Sequence, residues 1–254
     1  MDSKKRFSRR VDFYVRYRPT YPRALLQHLQ GVAELAADAT IADVGSGTGL
    51  STKLFLDAGY TVYGIEPNRE MRDASVDFLS AYDHYEAVNG SAEATTLAAE
   101  SVDLVVAGQA FHWFDPAAFR QEVQRILKSS RQAALFWNSR PFTATPFLQA
   151  YEQLLKDYAH NYAMVEHRKS KDETLAIFYG SAGYQEATFA NDLVYDRQAL
   201  IGRALSSSYT PLEDHPNHDL LMQGLHDTFD RYQENGTVTM PYQTNLYWGP
   251  IREV

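Results

Sequence analysis

The stretch Ile41-Ala42-Asp43-Val44-Gly45-Ser46-Gly47-Thr48-Gly49 decides the fold class of this chain. Its first four residues are mostly apolar or β-branched and predict a buried strand, which runs directly into alternating glycines. The next residues, 50–58, have the apolar spacing of an amphipathic helix, so the glycines lie at a strand-to-helix turn. Such a turn exposes backbone N–H groups and a helix N-terminus, and it lets the chain approach a ligand closely.

A second predicted strand, 61–65, ends at Glu66, in the place where a nucleoside-binding fold needs an acid. A carboxylate there can accept hydrogen bonds from both ribose hydroxyls. The dinucleotide fingerprint G-x-G-x-x-G is not met, because Leu50 stands at the third glycine position. No G-K-[ST] follows either, which excludes a Walker loop. The pattern therefore predicts a site for an adenosine-type cofactor.

The spacing G-x-G-x-G resembles motif I of the class I S-adenosylmethionine-dependent methyltransferases. Three later segments resemble further motifs of that family, in the same order: 67–71 (PNREM), 89–93 (NGSAE) and 102–115, which ends in FHWFD. The resemblance covers about residues 40–140. The FHWFD run and the segment 17–22 (YRPTYP) are also similar to small-molecule methyltransferases of types 11 and 25, including trans-aconitate methyltransferase-like proteins.

The resemblance implies that S-adenosylmethionine is the cofactor, and it assigns a set of residues to its binding. These are Gly45, Ser46, Gly47, Thr48, Gly49, Glu66, Pro67, Met71, Ala92, Glu93, Gln109, Tyr17 and Arg18. Met71 matches the family position that packs against adenine, and the acidic residue of the 89–93 segment matches the one near the adenine amino group. Tyr14, Tyr17 and Tyr21 belong to an arm that covers the cofactor in similar proteins.

Few residues are candidates for the chemistry itself, because methyl transfer from a sulfonium mainly needs alignment of donor and acceptor and exclusion of water. His112, just beyond the fourth predicted strand, is the candidate general base, and ordering its loop by a hydrogen bond is the alternative role. Asp43 either orients the glycine turn or receives the cofactor's ammonium group, and a role as a capping residue is the alternative. Trp113 and Phe114 either line the substrate pocket or belong to the core.

Two arginines indicate the chemical class of the acceptor. Arg140 follows the fifth predicted strand, and Arg18 lies on the N-terminal arm. Because a guanidinium group binds a carboxylate bidentately, the pair favours a carboxylate-bearing substrate. Two other roles stay open: Arg140 could pair with a surface acid, and Arg18 could bind the carboxylate of the cofactor.

The alternation of strands and helices predicts an α/β fold with a mostly parallel sheet and helices on both faces. The family architecture implies a Rossmann-like sheet of seven strands, in which 189–195 and 238–247 form a final antiparallel hairpin. We expect a single methyltransferase domain over 1–254, with an N-terminal arm and helix (1–38), a cofactor-binding core (39–140), and cap segments with the last strands (141–254). The cap is expected within 139–180 and 197–220. Thr20 is expected to cap the first helix, which begins near Pro22.

Composition narrows the classes of protein. A net charge of −8 argues against a nucleic-acid substrate. No apolar run is long enough for a membrane span, and no apolar region follows the basic first six residues as in a signal peptide. The chain has no cysteine, and no spacing of histidines and acids predicts a metal site. We therefore expect a cytoplasmic monomer or homodimer that acts on a small molecule. An NAD-type dehydrogenase and a non-catalytic cofactor-binding module are the alternatives.

Overall fold

The computed structural model describes residues 15–160, 162, 171–211 and 213–251, without the side chains of 129–131 and 171. Their contacts divide the chain into two compact units. The sheet unit comprises the described residues of Thr20–Asn138, Lys169–Phe189 and Thr244–Val254. The helical unit comprises those of Met1–Pro19, Ser139–Arg168 and Ala190–Gln243. Tyr14, and with it most of the predicted arm, lies outside the described residues.

The strands and helices alternate through the first half of the chain, as predicted. The strands are β1 Thr40–Val44, β2 Thr61–Ile65, β3 Tyr85–Val88, β4 Val102–Gly108, β5 Leu127–Ser139, β6 Gln185–Ala190, β7 Leu193–Tyr195, β8 Val238–Met240 and β9 Gln243–Pro250. The helices are α1 Arg23–Val32, α2 Leu50–Leu56, α3 Arg69–Phe78, α4 Pro116–Ile126, α5 Pro146–Tyr158, α6 Lys171–Tyr179, α7 Arg197–Leu205 and α8 His218–Tyr232. Pro22, rather than Thr20, is the N-cap of α1, and it makes no side-chain capping bond.

Seven strands form one sheet, in the order β3-β2-β1-β4-β5-β9-β6. Strand β1 pairs in parallel with both β2 and β4, and the pairs β2–β3 and β4–β5 are also parallel. The order reverses at β1, because the chain first builds outward to β3 and then crosses to β4 on the other side. The carboxyl ends of β1 and β4 are therefore neighbours, and open α/β sheets bind their ligands at such a point.

Helices cover both faces of the sheet. Ile41 and Leu104 are fully buried in a cluster that includes residues of α1 and α2. Their chain neighbours Ala42 and Val105 are fully buried in a second cluster, which includes residues of α4 and α6. Because successive side chains of a strand point to opposite faces, the two clusters lie on opposite sides of the sheet. The predicted fold class, a Rossmann-like, mostly parallel seven-stranded sheet, is confirmed.

The late strands differ from the prediction. The expected strand 189–195 is divided between β6 and β7, and the expected strand 238–247 between β8 and β9. Pro241 falls at the second break, where its missing N–H prevents a continuous ladder. Strands β7 and β8 pair antiparallel as a separate two-stranded sheet, while β9 lies between β5 and β6 in the large sheet.

The segment predicted as cap also divides. Helix α6 belongs to the sheet unit, where the buried Tyr179 hydroxyl donates to the Tyr247 carbonyl at 2.8 Å and lies 3.2 Å from the Ala133 carbonyl. Helices α5, α7 and α8 belong to the helical unit and enclose a core of their own with β7 and β8. Within the described part of the chain, no helix is long and apolar enough to cross a membrane.

Candidate active site

The glycine turn after β1 has backbone conformations that L side chains rarely adopt. Gly45, Gly47 and Gly49 have φ angles of +69°, +58° and +89°. The Gly45 and Ser46 amides both donate to the Ile65 carbonyl, at 2.8 and 3.2 Å, which ties the turn to the end of β2. Gly49 is the N-cap of α2. Glycine is needed because a Cβ at positive φ strains the backbone.

Neighbouring loops approach the turn so closely that little space is left for side chains. A Cβ on Gly45 would lie 2.6 Å from the Ala110 Cβ and 3.0 Å from the Phe114 ring, both from the loop after β4. A Cβ on Gly47 would meet only the flexible Met71 methyl group, at 3.3 Å. The turn, the β4 loop and the start of α3 thus converge at the carboxyl ends of β1 and β4.

Glu66 joins two of these loops. Its carboxylate accepts a hydrogen bond from the Gly47 amide at 3.0 Å and another from the Asn68 amide at 2.8 Å. Burial raises the pKa of Glu66, and the two amide hydrogen bonds oppose that change. Glu66 is 8 % exposed. A carboxylate can accept about four hydrogen bonds, so each oxygen keeps acceptor capacity for a ligand hydroxyl.

Three buried polar atoms at the turn have no hydrogen-bond partner within the part of the chain that the structure describes. They are the Ser46 hydroxyl, the Thr48 hydroxyl and Oδ1 of Asp43. Asp43 is fully buried in β1, and its other oxygen, Oδ2, accepts from the Ser51 and Thr52 hydroxyls at 2.7 Å each. Burial raises the pKa of Asp43 to about 6, although both hydroxyls oppose that change. Because buried polar groups are almost always satisfied, these atoms fit a site for a polar ligand.

The sequence missed the two hydroxyl residues that hold Asp43. A signal was present, since serine and threonine at the start of α2 face back toward the strand that precedes the turn. Their hydrogen bonds orient Asp43 Oδ2 toward α2. Asp43 is thus tied to the first turn of α2 through two side-chain hydrogen bonds.

The loop after β2 and the segment after β3 present the residues predicted to surround the adenosine. Met71 is buried, and its amide donates to the Asn68 side chain, which caps α3. Pro67 is exposed, whereas Ala92 is buried in the core cluster beside β1 and β4. Glu93 is exposed, and its carboxylate accepts from the Asp115 amide at 3.1 Å.

The loop after β4 begins at Gln109, which has a φ of +58°. Its side-chain amide donates to the Asn138 carbonyl at 3.1 Å, which joins the carboxyl ends of β4 and β5. His112 and Trp113 are exposed, with ring centroids 4.8 Å apart. At 44 % exposure Trp113 is not a core residue. Phe114 is half-buried against Gly45, so it forms a wall of the turn.

The remaining predicted residues, Tyr17, Arg18 and Arg140, belong to the helical unit. Tyr17 packs its ring on Gly202 of α7, where a side chain would not fit. Arg18 donates to the Ser206 carbonyl at 2.9 Å. Arg140 is buried, so it does not pair with a surface acid.

A second arginine buried in the helical unit, Arg203, was not predicted from the sequence. Arg203 is 4 % exposed on α7. Its position three residues after the buried Leu200, next to the buried Ala204, places it on the apolar face of that helix. This spacing was a readable signal, since a charge on the apolar face of a helix needs a buried partner.

The chain is similar to methyltransferases in both sequence and fold. Residues 42–134 match the family described as a methyltransferase domain. An uncharacterized methyltransferase of Mycobacterium tuberculosis is 36 % identical over 134 residues, which are 53 % of this chain and 52 % of that protein. An uncharacterized methyltransferase-like protein of Schizosaccharomyces pombe is 25 % identical over 245 residues, or 96 % of this chain and 94 % of that protein. The chain thus spans about half the length of the first relative and nearly all of the second.

Solved structures share the fold at lower identity. The YcgJ protein from Bacillus subtilis is 21 % identical with a TM-score of 0.57, and the match covers 92 % of this chain and 100 % of that one. A geranyl diphosphate C-methyltransferase from Streptomyces coelicolor, solved with S-adenosyl-L-homocysteine, is 17 % identical with a TM-score of 0.50, covering 90 % of this chain and 79 % of that one. At these identities the likeness concerns the fold alone.

Proposed function

We propose that this chain, a member of the class I S-adenosylmethionine-dependent methyltransferase family, transfers a methyl group to a small-molecule acceptor that bears a carboxylate. S-adenosylmethionine is its cofactor, and it supplies an electrophilic methyl group. One observation carries the proposal: the glycine turn lies where the strand order reverses, and unpartnered polar atoms are buried beside it. Such a site suits a ligand that combines polar groups with an adenosine.

The residues around the turn have complementary roles in this proposal. Glu66 accepts hydrogen bonds from the ribose hydroxyls, while its bonds to the Gly47 and Asn68 amides hold it in place. Oδ1 of Asp43 receives the ammonium group of the methionyl part, and the hydroxyls of Ser46 and Thr48 donate to its polar atoms. The remaining predicted cofactor residues surround the adenosine. They are Pro67, Met71, Ala92, Glu93 and Gln109, all of the sheet unit; Tyr17 and Arg18, predicted for cofactor binding from the arm, belong to the helical unit.

The chain's own contribution to the chemistry is alignment and exclusion of water. Phe114, packed on the turn, forms an apolar wall beside the transfer site, and Trp113 is exposed in the same loop. His112 is exposed next to them and can accept a proton from an acceptor that must lose one. A carboxylate acceptor is already ionised at neutral pH and needs no base, so His112 then serves to order the loop.

The acceptor class is supported by arginine chemistry. Arg140 is buried in the helical unit and retains an unpartnered Nε, as expected of a residue that receives an anionic ligand. Arg18 belongs to the same unit. Guanidinium groups bind carboxylates through two parallel hydrogen bonds, which gives both affinity and orientation.

Titration calorimetry followed by a product assay tests the proposal. We expect S-adenosylmethionine and S-adenosylhomocysteine to bind, and NAD not to bind. Labelled methyl transfer is then measured across a panel of organic acids, amines and phenols, with transfer expected to the acids. Binding of NAD alone would support a dehydrogenase, cofactor binding without transfer would support a non-catalytic module, and transfer only to amines or phenols would contradict the carboxylate acceptor.

A further inference from the structure

The helical unit buries two arginines among tyrosines. The Arg140 side chain is 8 % exposed, and Arg203 is 4 % exposed. Among the residues that the structure describes, Arg140 forms an ion pair with Glu152, whose Oε2 lies 3.7 Å from the Arg140 Nη2. The same oxygen accepts a shorter hydrogen bond, of 2.8 Å, from the Tyr162 hydroxyl. Glu152 therefore balances the charge of Arg140 incompletely.

Arg203 has hydroxyl partners in place of an acid. Its Nε donates to the Tyr242 hydroxyl at 2.9 Å, and its Nη1 donates to the Ser207 hydroxyl at 2.8 Å. Among the residues that the structure describes, Arg203 makes no ion pair. Burying a charge without a counter-ion costs several kcal/mol. The described residues thus place two guanidinium groups in one core with one carboxylate at ion-pair distance, an arrangement that is suited to receive an anion from outside.

Unpartnered polar atoms lie around Arg140. Its own Nε, the Tyr151 hydroxyl and Oε1 of Glu152 are buried without a hydrogen-bond partner among the described residues. Tyr151 is fully buried, and its ring centroid is 5.4 Å from the Arg140 guanidinium carbon. Two of these atoms are donors beside a positive charge, which is the arrangement that binds an oxyanion.

The charges of both arginines lower the pKa of a nearby tyrosine. Tyr209 lies edge-on to the Tyr162 ring, with centroids 4.9 Å apart. Burial alone raises the pKa of Tyr209, but the charges of Arg140 and Arg203, with smaller effects from Ser207 and Arg18, lower it to about 7. The local field is positive enough to favour an anion at this place.

We infer that Arg140, Arg203, Tyr151 and Tyr209 form an oxyanion-binding site within the helical unit, and that it takes a carboxylate group of the acceptor. That the acid is a methyl acceptor rests on the proposed function, but its binding does not. The two guanidinium groups supply paired N–H donors, and the protonated phenols add single donors. The site therefore selects acids over their neutral amides.

Titration calorimetry of the full chain without S-adenosylmethionine tests the site directly. The probes are succinate, benzoate and inorganic phosphate, with succinamide as the uncharged match of succinate. We expect succinate or benzoate to bind and succinamide not to bind. Binding of phosphate alone would identify the ligand as a phosphate group and overturn the carboxylate assignment. Absence of binding by all the anions would overturn the site.

Substitutions assign the binding to these residues. Arg140→Met and Arg203→Met should each weaken acid binding by about tenfold or more, the loss expected for a charge-assisted hydrogen bond. Arg231→Met removes an exposed arginine of the same unit and should leave binding unchanged. Equal effects of all three substitutions would point to general electrostatics and overturn the assignment. Circular dichroism of each variant establishes that it is folded.

Tyr151→Phe separates a binding role from a structural one. The Tyr151 hydroxyl has no hydrogen-bond partner among the residues that the structure describes, so its removal should keep or raise the melting temperature. A binding role predicts that acid affinity falls at least about threefold in the same variant. Unchanged affinity would overturn the place of Tyr151 in the site.

The proposed function and this site can fail separately. If acids bind through Arg140 and Arg203 but are never methylated, the site stands and the carboxylate acceptor is wrong. If acids are methylated while Arg140→Met and Arg203→Met leave their Michaelis constants unchanged, the function stands and the site is wrong.

Discussion

Replacement of Asp43 by asparagine should make the ligand-free protein more stable at neutral pH. Asp43 is fully buried, and no cationic group is among the causes of its pKa shift. Asparagine has almost the same shape and keeps a side-chain oxygen for the Ser51 and Thr52 hydroxyls, which donate at 2.7 Å. The main change is the removal of a buried negative charge. In the native protein this charge lowers the free energy of unfolding at any pH above the pKa of Asp43.

The size of the effect follows from the pKa. Burial raises the pKa of Asp43 from 3.8 to about 6, so the folded state holds the proton more tightly than the unfolded state does. Stability from this group is therefore greatest below pH 4 and is lost as the pH rises to about 6. At about 1.4 kcal/mol per pH unit, the loss at pH 7 is roughly 3 kcal/mol. Asp43→Asn removes it, which corresponds to a rise of about 6–12 °C in the melting temperature.

Differential scanning calorimetry of parent and variant at pH 4 and pH 7.5 measures this effect. The difference in melting temperature between the two proteins should grow with pH, because the other titrating groups contribute equally to both. The asparagine amide does not titrate, so any effect of the amide itself on the melting temperature is the same at both pH values and cancels when the two differences are compared. A difference that stays constant, or that shrinks toward pH 7.5, would refute the reasoning. The same variant should bind S-adenosylmethionine at least about tenfold more weakly if Asp43 receives the ammonium group.

Three further results are expected. Gly47→Ala should abolish cofactor binding with little loss of stability, whereas Gly59→Ala, at a φ of +90° in open space, should have a similar backbone cost and leave binding intact; calorimetry and thermal melts compare them. Glu66→Ala should weaken S-adenosylmethionine binding by about 1.5–3 kcal/mol, as a lost charge-assisted hydrogen bond would, and an unchanged dissociation constant would contradict its role. Succinate binding should weaken on the order of tenfold from pH 6.5 to 8.5, because a phenolate at Tyr209 competes for the arginines above its pKa of about 7. Against the effect of burial, the two arginines also lower the pKa of Tyr242, so Tyr209→Phe should reduce this pH dependence and Tyr209→Phe combined with Tyr242→Phe should remove it.

The sequence predicted the elements whose signals are local. The strand before Gly45, the turn and helix α2 could be read because apolar spacing and glycine pattern act within a few residues. Glu66 could be placed for the same reason, since the end of β2 is local information. These elements sit in the parallel part of the sheet, where the order of the chain largely fixes the neighbours.

The rest depends on contacts between distant residues, which no local pattern encodes. The division of 189–195 and 238–247 into strands of different sheets follows from pairings such as Leu193 with Met240. The hydrogen bond from the Gly47 amide to Glu66 could not be predicted from the sequence, because a carboxylate that can accept from a ribose hydroxyl can equally accept from a backbone amide. The burial of Arg203 could be read from its place on the apolar face of α7, but its partners could not, because Tyr242 lies far along the chain and Ser207 lies beyond the end of the helix.

The position of β9 has a consequence for synthesis of the protein on the ribosome. β9 lies between β5 and β6 in the sheet, yet it is made after β6 and after the whole of α8. Until β9 emerges, β5 is an edge with unpaired backbone groups, and β6 has no place in the sheet. Open edges of this kind recruit other strands, so the nascent chain passes through an aggregation-prone stage. The protein should therefore need chaperones more during translation than during refolding of the complete chain.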